Sequence, residues 1–344
     1  MDMVPVSAGH SRTDALTDMI ALARAADVAG YEHFWLAEHH GSTTYLSSAT
    51  IVLMGQVLAA TERLGVASGG IMLPNHAPLV VAEQIGTLAT LYPGRVELGL
   101  GRAPGTDRLT AAALRRGASD PGRFAEEILE ILTYLGDEPV PERLPGSLLL
   151  GASSAPDVAA QMHGPDAPRV RAIPGEGTHP TVWVLGSSVN GARVAGRLGL
   201  PFAVASHFAP VQAEAAIATY RSVLESQAEE VQGAQALRPV PRVAAAVNVM
   251  VAPSQDEARF LFSTAMAAAA RIVGNRPAPL DPPTEDPQAW RAYAPGREAA
   301  VETAMSLSFV GTADDVASRL RELADRWDLD EILVVTYAHD PALR

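Results

Sequence analysis

The chain of 344 residues contains no cysteine and no lysine, and all 26 basic residues are arginine. Without cysteine there is no disulfide framework and no thiolate chemistry. Without lysine, Schiff-base mechanisms and the phosphate-gripping lysine of a P-loop are excluded too. The arginine bias reads as the mark of a GC-rich coding sequence rather than a functional device. Basic runs are absent and the formal net charge is −13, which argues against nucleic acid and anionic membrane surfaces as partners. No apolar run reaches 18 residues and no charged-then-apolar leader opens the chain. The expectation is therefore a cytoplasmic protein that neither spans nor binds a membrane.

What is present is 48% apolar content, enough for a large core arranged as one barrel-sized domain or two smaller ones. Candidate strands at 2–6, 33–37, 64–69, 96–100, 181–185, 202–205, 243–251 and 331–336 alternate with amphipathic segments at 13–29, 47–61, 78–91, 121–135, 189–197, 210–227, 254–273 and 313–327. Such alternation is the pattern of a parallel sheet. Eight β-α steps in this length favour a single α/β domain, a (β/α)8 TIM barrel over residues 1–344, above a doubly wound sheet. Caps are expected where Ser254 and Thr312 precede acidic first turns. Two stretches rich in Pro and Gly, about 136–179 and 274–297, interrupt the alternation. They read as long insertions at the C-terminal face, either mobile lids or plain solvated linkers.

The densest signal is ASGGIMLPNHAPLVVAEQIGTLATLYPGRVELGLGRAPGTD, residues 67–107. It reads as one β-α-β unit whose strands end in Gly69-Gly70 and in Gly101-Arg102. Glycine lets a ligand approach the backbone, and an arginine beside it suits an anion such as phosphate. After the second strand, Glu38-His39-His40 puts a carboxylate and two imidazoles at the strand end where barrels place their chemistry. Adjacent residues on an extended chain point to opposite faces, so one imidazole faces the site and zinc ligation by the pair is disfavoured. Glu38 either receives a ligand hydroxyl or fixes the imidazole. A hydrogen-bonded cluster without chemistry is the competing reading. Gly186-Ser187-Ser188 leads into a helix, either as a plain N-cap or as an anion nest completed by Arg102.

The motifs AEHHG, SGGIMLPNHAP, AEQIGTLATLYPGRVELGLGRAPGTD and the run LGSS to LGLPFAVASHFAP resemble the bacterial luciferase-like monooxygenases over most of the chain, in their single-chain subgroup. That resemblance implies a (β/α)8 barrel, reduced FMN (FMNH2) as cosubstrate, a flavin C4a-hydroperoxide formed with O2, and a homodimer. It casts His39 as the acid/base imidazole near the flavin and Glu38 as its preceding carboxylate. Gly69-Gly70 corresponds to a strand bulge that often holds a non-proline cis peptide. Arg102 and Ser188 correspond to phosphate anchors, with Ser187 beside them. Two positions depart from the family. Gly191 stands where a hydroxyl residue commonly helps hold the phosphate, and Gly101 stands where the luciferase has a reactive cysteine. The expected function is flavin-dependent oxygenation of a small organic substrate, with secondary-metabolite tailoring such as antibiotic biosynthesis favoured. A separate flavin reductase would supply FMNH2, because Gly99-Leu-Gly101 lacks the third glycine of a nicotinamide fingerprint. The alternatives are a deazaflavin-dependent hydride-transfer enzyme and a non-catalytic flavin-binding protein.

Overall fold

The computed structural model describes residues 1–103, 105–114, 121–136, 170–230 and 242–344. In chain order its main elements are α1 (Arg12–Ala29), β1 (His33–Leu36), α2 (Thr50–Ala60), β2 (Gly65–Ser68), β3 (Ile71–Met72), α3 (Pro78–Leu91), β4 (Val96–Gly101), α4 (Arg108–Leu114) and α5 (Phe124–Leu135). They continue as β5 (Thr181–Gly186), α6 (Val189–Leu198), β6 (Phe202–Val204), α7 (Ala213–Glu230), β7 (Val243–Val251), α8 (Gln255–Val273), α9 (Glu298–Ala304), β8 (Ser308–Gly311), α10 (Ala313–Trp327) and β9 (Glu331–Val335).

Local chemistry explains several boundaries. Ser11 and Asp14 form a reciprocal capping box that starts α1, and Gly30 in the left-handed region ends it. Pro78 opens α3, where a missing N–H costs nothing. Ser254 accepts from the Glu257 amide as expected, whereas Thr312 makes no side-chain cap bond.

The paired strands run parallel in the order β1-β2-β4-β5-β6-β7, and β7 pairs with β9 along 244–248. The ring closes through the first residues of the chain. Asp2 bridges Leu36 in parallel, and the Met1 amino group donates to the Val334 carbonyl. Counting that segment, eight strands surround the axis, and the fold is the expected α/β barrel. The stretch 2–6 enters only as isolated bridges, to Leu36 and Tyr45. β8 lies outside the ring, on the upper half of β7.

Strand alternation sorts side chains into two apolar groups. Phe34, Leu36, Val66, Leu98, Val184, Phe202 and Val204 face the helices, whereas Trp35, Ala67, Trp183, Ala203, Ala244 and Ala246 face the axis. Trp35 and Trp183 meet edge to face at 5.4 Å. Their indole N–H groups donate to Glu331 (2.9 Å) and Glu97 (2.7 Å) at the N-terminal end. Arg242 and His33 bridge the same two carboxylates there. The barrel floor is thus a polar plug beneath an interior lined largely by alanine.

Residues 274–297 are not structureless. Leu280, Trp290 and Ala294 are buried, and Ala289–Tyr293 forms a 3-10 turn. Arg271 grips Asp281 with two bonds of 2.8 and 3.0 Å. Thr44 donates to the Ala278 carbonyl and Ser7 bridges Leu280, which seats the segment at the C-terminal face beside the end of β1. Of the other insertion, 137–169 lies outside the described residues. Its end, 170–179, packs Gly175 against Gly86 of α3 so closely that a β-carbon on Gly86 would fall 2.3 Å from the Gly175 Cα.

Candidate active site

The register of β2 and β3 against β4 defines the centre of the mouth. Ala67 pairs with Glu97, an offset of 30, while Ile71 pairs with Leu100, an offset of 29. One extra residue is therefore accommodated between Ala67 and Ile71, a bulge at the strand end. The peptide Gly69-Gly70 is cis. Ser68 ties the bulge to β4, its hydroxyl donating to the Gly99 carbonyl and accepting from the Gly99 amide, both at 2.9 Å. A β-carbon on Gly70 would sit 2.6 Å from the Gly99 oxygen, and one on Gly99 would sit 2.1 Å from the Ser68 oxygen. Only glycine permits this approach of backbone to backbone.

Glu38 follows β1 and is buried, with 1% of its side chain exposed. Its oxygens accept from His40 Nε2 (2.8 Å), from His76 Nε2 (2.9 and 3.0 Å), from the Asn75 amide (3.3 Å) and from the Met72 backbone N–H (3.2 Å). Burial alone would raise its pKa, but the hydrogen bonds from His76, His40 and Asn75 prevail and hold the carboxyl below its ordinary range. The donor atoms of Glu38, His40 and His76 lie within 4.8 Å of one another, a grouping of the kind that can hold a metal ion. The hydrogen bonds account for the same grouping without one.

His39 and His40 diverge as alternation requires, with His39 turned the other way. Its ring lies 5.3 Å from that of Tyr45, and Tyr337 follows at 6.1 Å from Tyr45. The His39 Nδ1 atom is buried without a hydrogen-bond partner. Desolvation pulls the His39 pKa down to about 4 against the pull of Glu38, so the imidazole is neutral at pH 7. The imidazoles that Glu38 fixes are His40 and His76, because residues 38 and 40 share a face of the extended chain and 39 does not.

The anion cradle forms at the ends of β4 and β5. Gly101 pairs with Leu185, so Arg102 emerges beside Gly186 and the Ser187-Ser188 turn. Arg102 is exposed and has no hydrogen-bond or ion-pair partner among the described residues. Ser188 is the N-cap of α6 yet makes no side-chain cap bond, and the first turn carries no acid. The free first-turn N–H groups and two half-buried hydroxyls leave a helix terminus suited to an anion. Gly191 is buried, and its missing β-carbon would point at the Gly186 Cα, 3.3 Å away. Its part in the cradle is thus limited to its backbone N–H, and a larger residue would push α6 off β5.

The structure adds residues that the sequence reading did not single out. His76 and Asn75 arrive on a 3-10 turn after β3, Tyr45 and Tyr337 sit beside His39, and His207 follows β6. His76 and His207 lie inside the quoted motifs LPNHAP and SHFAP, where histidine among small apolar residues was the available signal.

Comparison with known proteins bears on these features. A family model described as luciferase-like monooxygenase matches residues 3–328. A protein of Escherichia coli (strain K12) named luciferase-like monooxygenase is 38% identical over 335 residues, covering 97% of this chain and 89% of its own. Among solved structures, apo-MsnO8 is similar with a TM-score of 0.77 at 30% identity, covering 99% of this chain and 92% of that one. The oxygenating constituent of 3,6-diketocamphane monooxygenase from Pseudomonas putida, in complex with FMN, is similar in fold (TM-score 0.64, 18% identity, 98% and 92% covered). An F420-dependent secondary alcohol dehydrogenase shares the fold as well (TM-score 0.58, 16% identity, 94% and 89% covered).

Proposed function

Because the chain belongs to the luciferase-like monooxygenase family, we propose that it is a monooxygenase whose mouth binds reduced FMN and positions it for transfer of one oxygen atom from O2 to a small organic substrate. The observation that carries the cofactor assignment is the uncapped α6 terminus beside Arg102. On a protein of net charge −13, such a cradle concentrates donors and positive charge where a phosphate dianion would otherwise be repelled. The remaining residues fit the same ligand. Gly69 and Gly70 offer bare backbone on which a flat ring can lie, and His39 holds an unpaired nitrogen above the interior.

In this reading the bound flavin supplies the electrons and the ring that activates O2, and the chain does the rest. Arg102, Ser187 and Ser188 anchor the phosphate, and the Gly69-Gly70 bulge sets the height of the ring. His39, neutral at working pH, takes up or returns a proton at Nδ1. Ionised Glu38 braces the wall through His40 and His76. The alanine-lined interior and the segment 274–297 exclude water from the reacting atoms. A separate reductase supplying the cofactor, a homodimer, and a place in secondary-metabolite tailoring complete the proposal on family resemblance.

The test is anaerobic titration with reduced FMN, reduced F420 and reduced riboflavin, followed by oxygen uptake. FMN is expected to bind tightest. Loss of one charge-assisted phosphate contact in Arg102→Ala should weaken it roughly 10- to 150-fold, while riboflavin binds both forms equally poorly. Preference for F420 without oxygen uptake would replace the monooxygenase with hydride transfer. FMN binding without any effect on its reaction with O2 would leave only a flavin carrier.

A further inference from the structure

His207 follows β6 and is 4% exposed, yet neither ring nitrogen has a hydrogen-bond partner. A buried imidazole with both nitrogens idle forfeits its hydration without return, and native interiors rarely keep such a group unless something else completes it. The surrounding turn is not loosely placed. Ser206 donates to the Ala246 carbonyl (2.7 Å), Asn248 donates to the His207 carbonyl (2.6 Å), and the Ala205 amide donates to Gly186 (3.0 Å). The ring meets that of Phe208 edge on at 4.7 Å, which fixes its plane. Bonds to the two neighbouring strands, β5 and β7, thus hold the turn that carries a side chain with no hydrogen bond of its own.

Two observations place His207 at the mouth. It lies just beyond the C-terminal end of β6, whose Ala203 faces the axis. The Met1 amino group, held on the Val334 carbonyl, and after it His39 at the end of β1 also disfavour a positive charge on it. The mouth therefore presents three unmatched imidazole nitrogens, His39 Nδ1 and both of His207.

We propose that His207 is a binding residue of this site, hydrogen-bonding an uncharged carbonyl or hydroxyl oxygen of the molecule held in the mouth, opposite His39. Desolvation brings the His207 pKa down to about 3, so it serves as a neutral donor and acceptor. Two neutral imidazoles offer no counter-charge to a carboxylate or an ammonium, and the nearby Met1 amino group, pulled down to about 6 by burial and already donating to the Val334 carbonyl, is largely neutral at pH 7, so a charged group there would be desolvated without compensation. The favoured ligand atom is an uncharged oxygen. It can come from the flavin ring edge or from the organic substrate. The inference rests on the flavin reading of the mouth.

The experiment uses the full chain with 15N-labelled histidine, the His207 ring signals being assigned by their loss in His207→Phe. FMN is added first, then cyclohexanone, with acetate as the charged control. A shift of the His207 nitrogens with FMN assigns the oxygen to the flavin, and a shift only with cyclohexanone assigns it to the substrate. In either case acetate should leave the signals in place. His207→Phe should weaken the responding ligand about 5- to 10-fold, as for one neutral hydrogen bond, and His207→Gln should restore it to within about 3-fold. Signals unmoved by FMN and by cyclohexanone, or moved most by acetate, overturn the inference. Should the wild-type chain fail to bind FMN, the flavin reading falls and takes this inference with it. FMN binding with an inert His207 refutes the inference alone.

Discussion

At the scale of single residues, the histidines differ more by environment than by type. His207 is buried and His39 half-buried, both with unmatched nitrogens, while His40 and His76 hold one carboxylate between them. His39→Ala should slow oxygenation in single-turnover assays by on the order of 10²-fold with little change in FMN affinity, as expected of an acid/base group. His40→Ala should lower thermal stability more than the chemical step, and the reverse order in the two assays would exchange their roles. The same contrast has a pH signature. The folded pKa values of His39 and His207 lie below the unfolded value of about 6.5, so below that pH the unfolded chain binds more protons. Stability is then lost as pH falls from 6.5 toward about 4 for His39 and about 3 for His207, at about 1.4 kcal/mol per pH unit for each. His33 acts in the opposite sense. Its hydrogen bond to Glu331 raises its pKa, so its contribution is complete below 6.5 and fades as pH rises through the folded value. Between pH 6.5 and 5, the melting temperature of His207→Gln should fall less steeply than that of wild type. Parallel curves would mean that His207 is already protonated or already paired.

At the scale of elements, the N-terminus of α6 separates two readings that the sequence left open. A plain N-cap and a phosphate nest both use Ser188, but they respond oppositely to a carboxylate. Ser188→Asp supplies a good cap and an acid near the positive end of the helix, worth about 0.3–1 kcal/mol to stability. The same charge would repel a phosphate. The melting temperature should hold or rise while FMN affinity drops more than about tenfold, and unchanged affinity would reduce the turn to a cap. The bulge at Gly69-Gly70, expected from the family resemblance, is present, although periodicity and composition alone did not point to it. Strand ends and glycines were legible, but the one-residue offset between the β2 and β3 pairings exists only in the register against β4. Likewise, the Pro-rich composition of 274–297 gave no hint that Leu280 and Trp290 anchor it.

Across the whole molecule, the two ends of the barrel carry different work. The floor joins Trp35, Trp183, Glu97, Glu331, His33 and Arg242, while the mouth collects Glu38, His39, Arg102, Ser187, Ser188 and His207. Arg242 reaches both floor carboxylates at 3.5–3.6 Å and covers the Trp183 ring at 4.7 Å. Removing it leaves the two acids with His33, which is charged only when protonated, as a remaining bridge at the floor. Arg242→Ala should cost about 1–3 kcal/mol of stability, read by denaturant titration, with FMN affinity unchanged within about threefold. Arg102→Ala should show the converse. If both variants weakened FMN equally, the division into floor and mouth would be wrong. Among the described residues no helix is long and apolar enough to cross a membrane.

The sequence by itself determined the alternation of strands and helices, the boundaries of most elements, and the conjunction of His39, Gly69-Gly70, Arg102 and Ser187-Ser188 at strand ends. Those follow from periodicity, caps and glycine, which act over a few residues. It also held, unread, the fact that Glu38 and His40 share a face. Tertiary structure decided what distance along the chain hides. It closed the ring through the opening residues, set Arg102 beside a turn more than eighty positions away, brought His76 to Glu38 and buried both ring nitrogens of His207 beyond the end of β6. Whether a buried nitrogen is satisfied depends on every element around it, and no local pattern records that sum.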